Sequence, residues 1–256
     1  TMSFLDMISE PEPRARRVLL YGTHGIGKST FGAMAPKPVF IQTEDGLRNI
    51  RGVKTFPLAK SFTDVMQQIQ ELTTQDHSFR TLVLDSVDWT ERLIQQFLCA
   101  QGGKSSIAEF GFGKGYDLVA SYFSEMLSAL AELNTSRYML IILLAHCQVE
   151  RFENPQTEAY DRYTPKVHKK INGTLQEWCD EVFFANYKIY TKTEEGGYGK
   201  ERKLGIGSGE RVIYTTERPS HLAKNRIEDC PQELPLAFSA YWDLIKPQSP
   251  AETATA

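Results

Sequence analysis

Residues Gly22 to Thr30 read G-T-H-G-I-G-K-S-T, and the fold follows from where that stretch sits. An apolar, β-prone run (Val18, Leu19, Leu20, Tyr21) precedes it, and a short helical segment that must stop before Pro36 follows it. Strand, glycine-rich turn and helix in that order are the setting in which G-x-x-x-x-G-K-[ST] has a physical meaning. Gly22, Gly25 and Gly27 are expected to take positive φ and bring backbone N–H groups against phosphate oxygens, with the positive end of the new helix behind them. Lys28 then faces the β- and γ-phosphates, and the Ser29 hydroxyl faces Mg2+. The run Gly22, Thr23, His24, Gly25, Ile26, Gly27, Lys28, Ser29 and Thr30 is therefore expected to cradle a nucleoside triphosphate, with ATP and Mg2+ as cofactors.

Working outward, Pro38 to Gln42 reads as a buried strand with T-E-D-G at its C-terminal end, and Lys54 to Pro57 as a short strand. Ser61 and Asp64 form a capping-box pattern for a helix whose apolar positions are Phe62, Val65, Met66, Ile69 and Leu72. Thr81 to Asp85 is a buried strand ending in an acid, and the helix after it carries Trp89, Leu93, Ile94 and Phe97 on one face. Gln101 to Gly115 is glycine-rich with no strand before it, so it reads as a mobile surface loop rather than a second phosphate loop. A helix over residues 116–133 leads to Tyr138 to Ala145, the most apolar strand, suited to the middle of a parallel sheet. This alternation predicts an α/β fold: a mostly parallel twisted sheet flanked by helices. Asp180 to Thr193 and Arg211 to Thr216, around a turn at Gly196, Gly197 and Gly199, read as antiparallel strands added at one edge.

Composition narrows the classes. The chain has 256 residues, 41% hydrophobic and 24% charged, with a net charge of −3, which excludes a wholesale nucleic-acid coat and leaves room for a local basic patch. The longest apolar run is far too short to span a bilayer, so no membrane partner is expected. The start, T-M-S-F-L-D-M, lacks a basic region followed by an apolar stretch, and its Thr1 reads as a cloning remnant. Four separated cysteines with no C-x-x-C pair read as reduced thiols of a cytoplasmic protein rather than as a metal site. Residues 1–17 form a charged, proline-broken linker whose Phe4, Leu5 and Ile8 either pack on their own core or dock on a neighbouring subunit. Residues 18–245 are expected to form the ATPase core, and the small, polar residues 246–256 a disordered tail.

Asp85 is expected to hold Mg2+ through its water, and a serine rather than a glutamate follows it. The base that activates water must therefore come from elsewhere. Glu44, ending the adjacent strand, is the candidate, set against its reading as a solvated turn residue.

With these positions fixed, the order of residues resembles the RecA family along most of the chain. V-F-I-Q-T-E-D-G-L is similar to the RecA strand that presents the catalytic glutamate, and T-L-V-L-D-S-V to its Mg2+ strand. L-I-I-L-L-A-H-C-Q resembles the strand ending in the γ-phosphate sensor, which is glutamine in RecA itself and would be His146 here. A-K-N-R at 223–226 resembles the basic pair that RecA proteins extend to a neighbour's ATP, which would be Lys224 and Arg226. The ending P-Q-E-L-P-L-A-F resembles that of small phage-encoded RecA-like proteins, which include single-strand annealing proteins.

The resemblance implies DNA-binding loops at Gln148–Asn172 and at Lys188–Ser208. The first holds Arg151, Arg162, Lys166, Lys169 and Lys170 among aromatic residues, a mixture suited to single strands, although acids dilute it. The implied protein is an ATPase, stimulated by single-stranded DNA, that promotes annealing or strand exchange. It would act as a filament or ring with ATP at the subunit interface, beside a single-strand-binding protein. The alternatives are a nucleotide-gated assembly module with little turnover and a P-loop small-molecule kinase, the latter disfavoured by the lack of an arginine-rich lid segment.

Overall fold

The computed structural model describes residues 4–10, 14–196 and 200–246, and of Phe4 and residues 190–196 and 200–208 the backbone alone. Strands β1 (Arg17–Gly22), β2 (Pro38–Gln42), β3 (Lys54–Thr55), β4 (Thr81–Asp85) and β5 (Leu140–Phe152) alternate with helices α1 (Lys28–Ala33), α2 (Phe62–Thr74), α3 (Val87–Gly102) and α4 (Lys114–Ser136). Then come β6 (Tyr160–Pro165), α5 (Lys169–Trp178), β7 (Glu181–Gly196), β8 (Lys200–Tyr214), β9 (Glu233–Pro235) and α6 (Phe238–Ile245). They build one nine-stranded sheet in the order β3-β2-β4-β5-β1-β7-β8-β9, with β6 paired to β5.

The strands from β3 to β7 in that order are parallel, and β8 and β9 extend the edge antiparallel. The edge therefore differs from expectation in one respect: β7 joins β1 in parallel, and the antiparallel additions begin at β8.

Strand alternation divides the core between the two faces. Leu19, Tyr21, Ile41, Leu84, Ile141 and Leu143 pack against α2, α3, α4 and α5. Val18, Leu20, Phe40, Val83 and Ile142 pack on the other side, against Phe31 of α1 and Phe238 and Tyr241 of α6. Helix α2 starts where the capping box places it: the Ser61 hydroxyl accepts from the Asp64 N–H, and the Asp64 carboxylate accepts from the Ser61 N–H.

Three expectations are corrected. Gln101–Gly115 is not wholly a surface loop: α3 runs through Gly102, a 3₁₀ turn spans Ile107–Phe110 with Ile107 buried, and α4 starts at Lys114. Gln148–Asn172 is not a single loop either: only residues 153–159 turn between strands. Strand β5 runs past Ala145 to Phe152 and pairs antiparallel with β6, forming a two-stranded ribbon that leads into α5. Polar residues hid this extension because β5 leaves the core after His146 and exposes Val149, Glu150 and Arg151, so no apolar run marks it. Leu5 and Ile8 are exposed rather than packed on the core. The turn at Gly197 and Gly199, residues 1–3 with Thr1, the tail from 247 and the side chains of Lys192, Lys200, Arg202 and Lys203 fall outside the described residues.

Candidate nucleotide site

Parallel strands bring their C-terminal ends to one edge of a sheet, where loops can converge on a ligand. Here the register sets Gly22 opposite His146, and Gln42 opposite Asp85. The phosphate loop, Glu44, Asp85 and His146 therefore gather at one edge from four neighbouring strands.

Gly25 and Gly27 take φ of 71° and 115°, as the cradle requires. Gly22 does not: it is the last, extended residue of β1. Its need for a missing side chain is steric, because a Cβ there would lie 2.2 Å from the Ala185 carbonyl oxygen of β7. Lys28 is buried, and its Nζ donates to the carbonyls of Gly22 (3.1 Å) and Thr23 (3.0 Å). Burial pulls its pKa down, with Asp85 the leading opposing influence.

The Ser29 hydroxyl donates to Asp85 Oδ2 at 2.6 Å, so two oxygen ligands of the kind Mg2+ takes already touch. Burial pushes the Asp85 carboxyl up, opposed first by the Ser29 hydrogen bond and then by Lys28. Positive-φ glycines, a buried lysine at the loop and a hydroxyl–carboxylate pair fit a magnesium nucleotide, which Lys28, Ser29 and Asp85 would hold.

Glu44 is held by a residue the sequence did not single out. Thr43 N–H donates to the Asp85 carbonyl (2.8 Å), and its hydroxyl donates to the Ser86 carbonyl while accepting from the Ser86 N–H, both at 2.9 Å. These bonds extend the β2–β4 ladder beyond the strands and aim Glu44 across the end of β4. Its carboxyl is half-buried, which raises its pKa, and the neighbouring His146 is the main opposing influence. Glu44 Oε1 lies 3.7 Å from His146 Nε2. The opposite ring nitrogen, Nδ1, is 2.9 Å from Asp88 Oδ2 on the first turn of α3. His24 of the phosphate loop stacks on the His146 ring at 4.0 Å, and this second imidazole is the first cause of its lowered pKa.

Asp88 and Arg211 were also not foreseen. D-S-V-D places Asp88 in the first turn of α3, three residues after Asp85, and that spacing was the available signal. Arg211 of β8 donates from Nη1 to the Ile26 carbonyl at 3.3 Å, a contact across 185 positions that no local pattern announces.

The remaining candidates lie apart. Lys224 and Arg226 sit near the start of β1 and β7, away from the chain's own phosphate loop. Lys224 donates to the Gln176 carbonyl, and Arg226 lies 3.4 Å from Asp180. On the ribbon, Arg151 is 3.6 Å from Asp161, while Arg162 is 3.2 Å from Glu217 and lies over the Phe152 ring. Lys170 pairs with Asp117, and Lys188 with Glu233 at 2.8 Å. Lys166 and Lys169 have no ion-pair partner among the described residues, and they line a polar cavity of about 460 Å3 with Glu91 and Arg92.

The fold and this edge together define a P-loop nucleotide-binding domain of α/β type. A family model described as an AAA domain matches residues 14–227, so the chain belongs to the AAA domain family. It is also similar to the SPbeta prophage-derived uncharacterized protein YorG of Bacillus subtilis (strain 168), at 22% identity over 222 residues. That match covers 85% of this chain and 61% of the relative, so the chain spans about three fifths of that protein's length. Among the described residues, no helix is long and apolar enough to cross a membrane.

Proposed function

We propose that this chain hydrolyses ATP with Mg2+, binds single-stranded DNA along the β5–β6 ribbon and assembles with copies of itself to promote annealing or strand exchange. Bound magnesium–ATP supplies the phosphoanhydride whose cleavage resets the assembly. Lys28 and Ser29 orient the phosphates and the metal, and Glu44 takes the proton of the attacking water at its carboxylate. Partial burial, by raising the Glu44 pKa, makes that carboxylate a stronger base at neutral pH.

One observation carries the coupling of DNA to hydrolysis. Strand β5 is continuous from the centre of the sheet through His146 to the exposed ribbon, and the Lys166 N–H returns from β6 to donate to the His146 carbonyl at 2.8 Å. A strand of DNA gripping Lys166, Lys169 and the aromatic ribbon would thus pull directly on the backbone of a nucleotide-site residue. The RecA resemblance and the prophage origin of the similar Bacillus protein support a role in phage recombination in the bacterial cytoplasm, beside a single-strand-binding protein.

Fluorescence anisotropy with a labelled single-stranded oligonucleotide, titrated across salt concentrations, tests the DNA half. Reversing Lys166, Lys169 and Lys170 to Glu should weaken binding and flatten the salt dependence by about 0.7 in log–log slope per lost phosphate contact. Wild-type and variant curves that overlay would remove the ribbon from the reading.

A further inference from the structure

We infer that Asp88 is a positioning residue that fixes the tautomer of His146, holding the proton on Nδ1 and turning an unprotonated Nε2 toward Glu44. Both carboxylate oxygens of Asp88 are committed to residue 146: Oδ1 accepts from the backbone N–H at 3.1 Å and Oδ2 meets ring Nδ1 at 2.9 Å. This clamp fixes the ring relative to its own backbone, and the His24 ring covers one face of the imidazole.

The Asp88 side chain is 4% exposed, and burial would raise its pKa, yet the hydrogen bonds from the His146 ring and backbone hold it below the usual carboxylate value. An ionised carboxylate only accepts, so the proton between the two residues belongs to Nδ1. In the neutral ring Nε2 is then a bare acceptor, 3.7 Å from Glu44 Oε1. That separation is too long for a direct hydrogen bond and leaves the two acceptors facing the same water or reacting oxygen.

The inference rests on the reading of Glu44 and His146 as parts of a hydrolytic site, but its geometry has a signature of its own. In Asp88→Asn, the amide oxygen can keep the backbone bond while its NH2 faces Nδ1. The NH2 is a donor, so the ring is driven to the other tautomer, with the proton on Nε2 pointing at Glu44. Glu44 would then be a worse base without any change at the phosphate loop.

The test is nitrogen-15 NMR of the full chain labelled on its five histidines, at pH 8, with His146 assigned by His146→Gln. Wild type should show a protonated Nδ1 and a bare Nε2, and Asp88→Asn should reverse them. Turnover of ATP should fall by about tenfold or more with KM nearly unchanged, tenfold to a hundredfold being the scale for removing the carboxylate behind a metal-bound histidine. Asp88→Glu should keep the wild-type tautomer and recover part of the rate. A wild-type ring protonated on Nε2, or carrying both protons at this pH, would overturn the inference even if Asp88→Asn fails to fold. So would an unchanged tautomer in a folded Asp88→Asn. If neither protein hydrolyses ATP, the functional reading fails, and the spectra still decide the tautomer.

Discussion

Replacing Glu181 by Gln tests the electrostatics of the sheet's other end. Glu181 opens β7 with its side chain fully buried; Arg16 Nη1 donates to one of its oxygens at 3.0 Å and the Tyr241 hydroxyl to the other at 3.1 Å. Burial nevertheless dominates and pushes the carboxyl from 4.5 up to about 7, with Arg16 the leading opposing influence. The folded chain thus binds this proton more tightly than the unfolded chain does. The stability it contributes is complete below pH 4.5, falls as pH rises and is lost above about 7. At about 1.4 kcal/mol per pH unit, that interval corresponds to about 3 kcal/mol, or roughly 6–12 °C in melting temperature for a chain of this size. Glutamine resembles the protonated carboxyl and cannot ionise. Urea denaturation of both proteins from pH 4 to 8 reads the difference, in which other titrating groups cancel to first order. The stability of Glu181→Gln relative to wild type should rise through this window and level off above it. A difference that stays flat with pH would refute the reasoning.

Gly22→Ala must move β7 or the loop, since its Cβ would stand 2.2 Å from the Ala185 oxygen where real contacts essentially never fall under 3.0 Å. A destabilisation of about 1–3 kcal/mol with weakened nucleotide binding is expected, and overlaying melts would contradict it. Lys28→Ala should keep the circular dichroism spectrum and lose ATP affinity by calorimetry, whereas wild-type affinity would remove Lys28 from the site. For the trans role of Lys224 and Arg226, Arg226→Ala and Glu44→Gln subunits, each inactive alone, should recover ATPase activity on mixing. Background activity in mixtures that still co-assemble on DNA would exclude that role.

Wherever burial or a tight turn writes a pattern into the chain, the sequence was legible. The central strands are buried on both faces, so V-F-I, T-L-V-L and L-I-I-L-L stand out as apolar runs, and the capping box marks the start of α2. The phosphate loop announces itself through chemistry that few other residues can perform. The ribbon did not, because the outer part of β5 is exposed and polar, and β6 packs its Tyr163 and Thr164 only after the two strands pair. Gly22 was assigned a conformational role when its constraint is steric, a property of β7 some 160 positions away. Thr43, Asp88 and Arg211 act through contacts that exist only after the strands align. The pairing of Arg226 with Asp180 likewise depends on two segments meeting beside the start of β1.

The account turns on whether this edge of the sheet hydrolyses ATP in response to DNA. Steady-state ATP hydrolysis by the intact chain, with and without single-stranded DNA, measures that directly, with Glu44→Gln alongside. The expected result is a basal rate raised by DNA and a Glu44→Gln rate lower by about 10²–10⁴-fold while ATP binding survives. A rate that DNA leaves unchanged, or a Glu44→Gln variant that turns over like wild type, would contradict the account. Bound but unhydrolysed ATP would make the chain a nucleotide-gated assembly module instead.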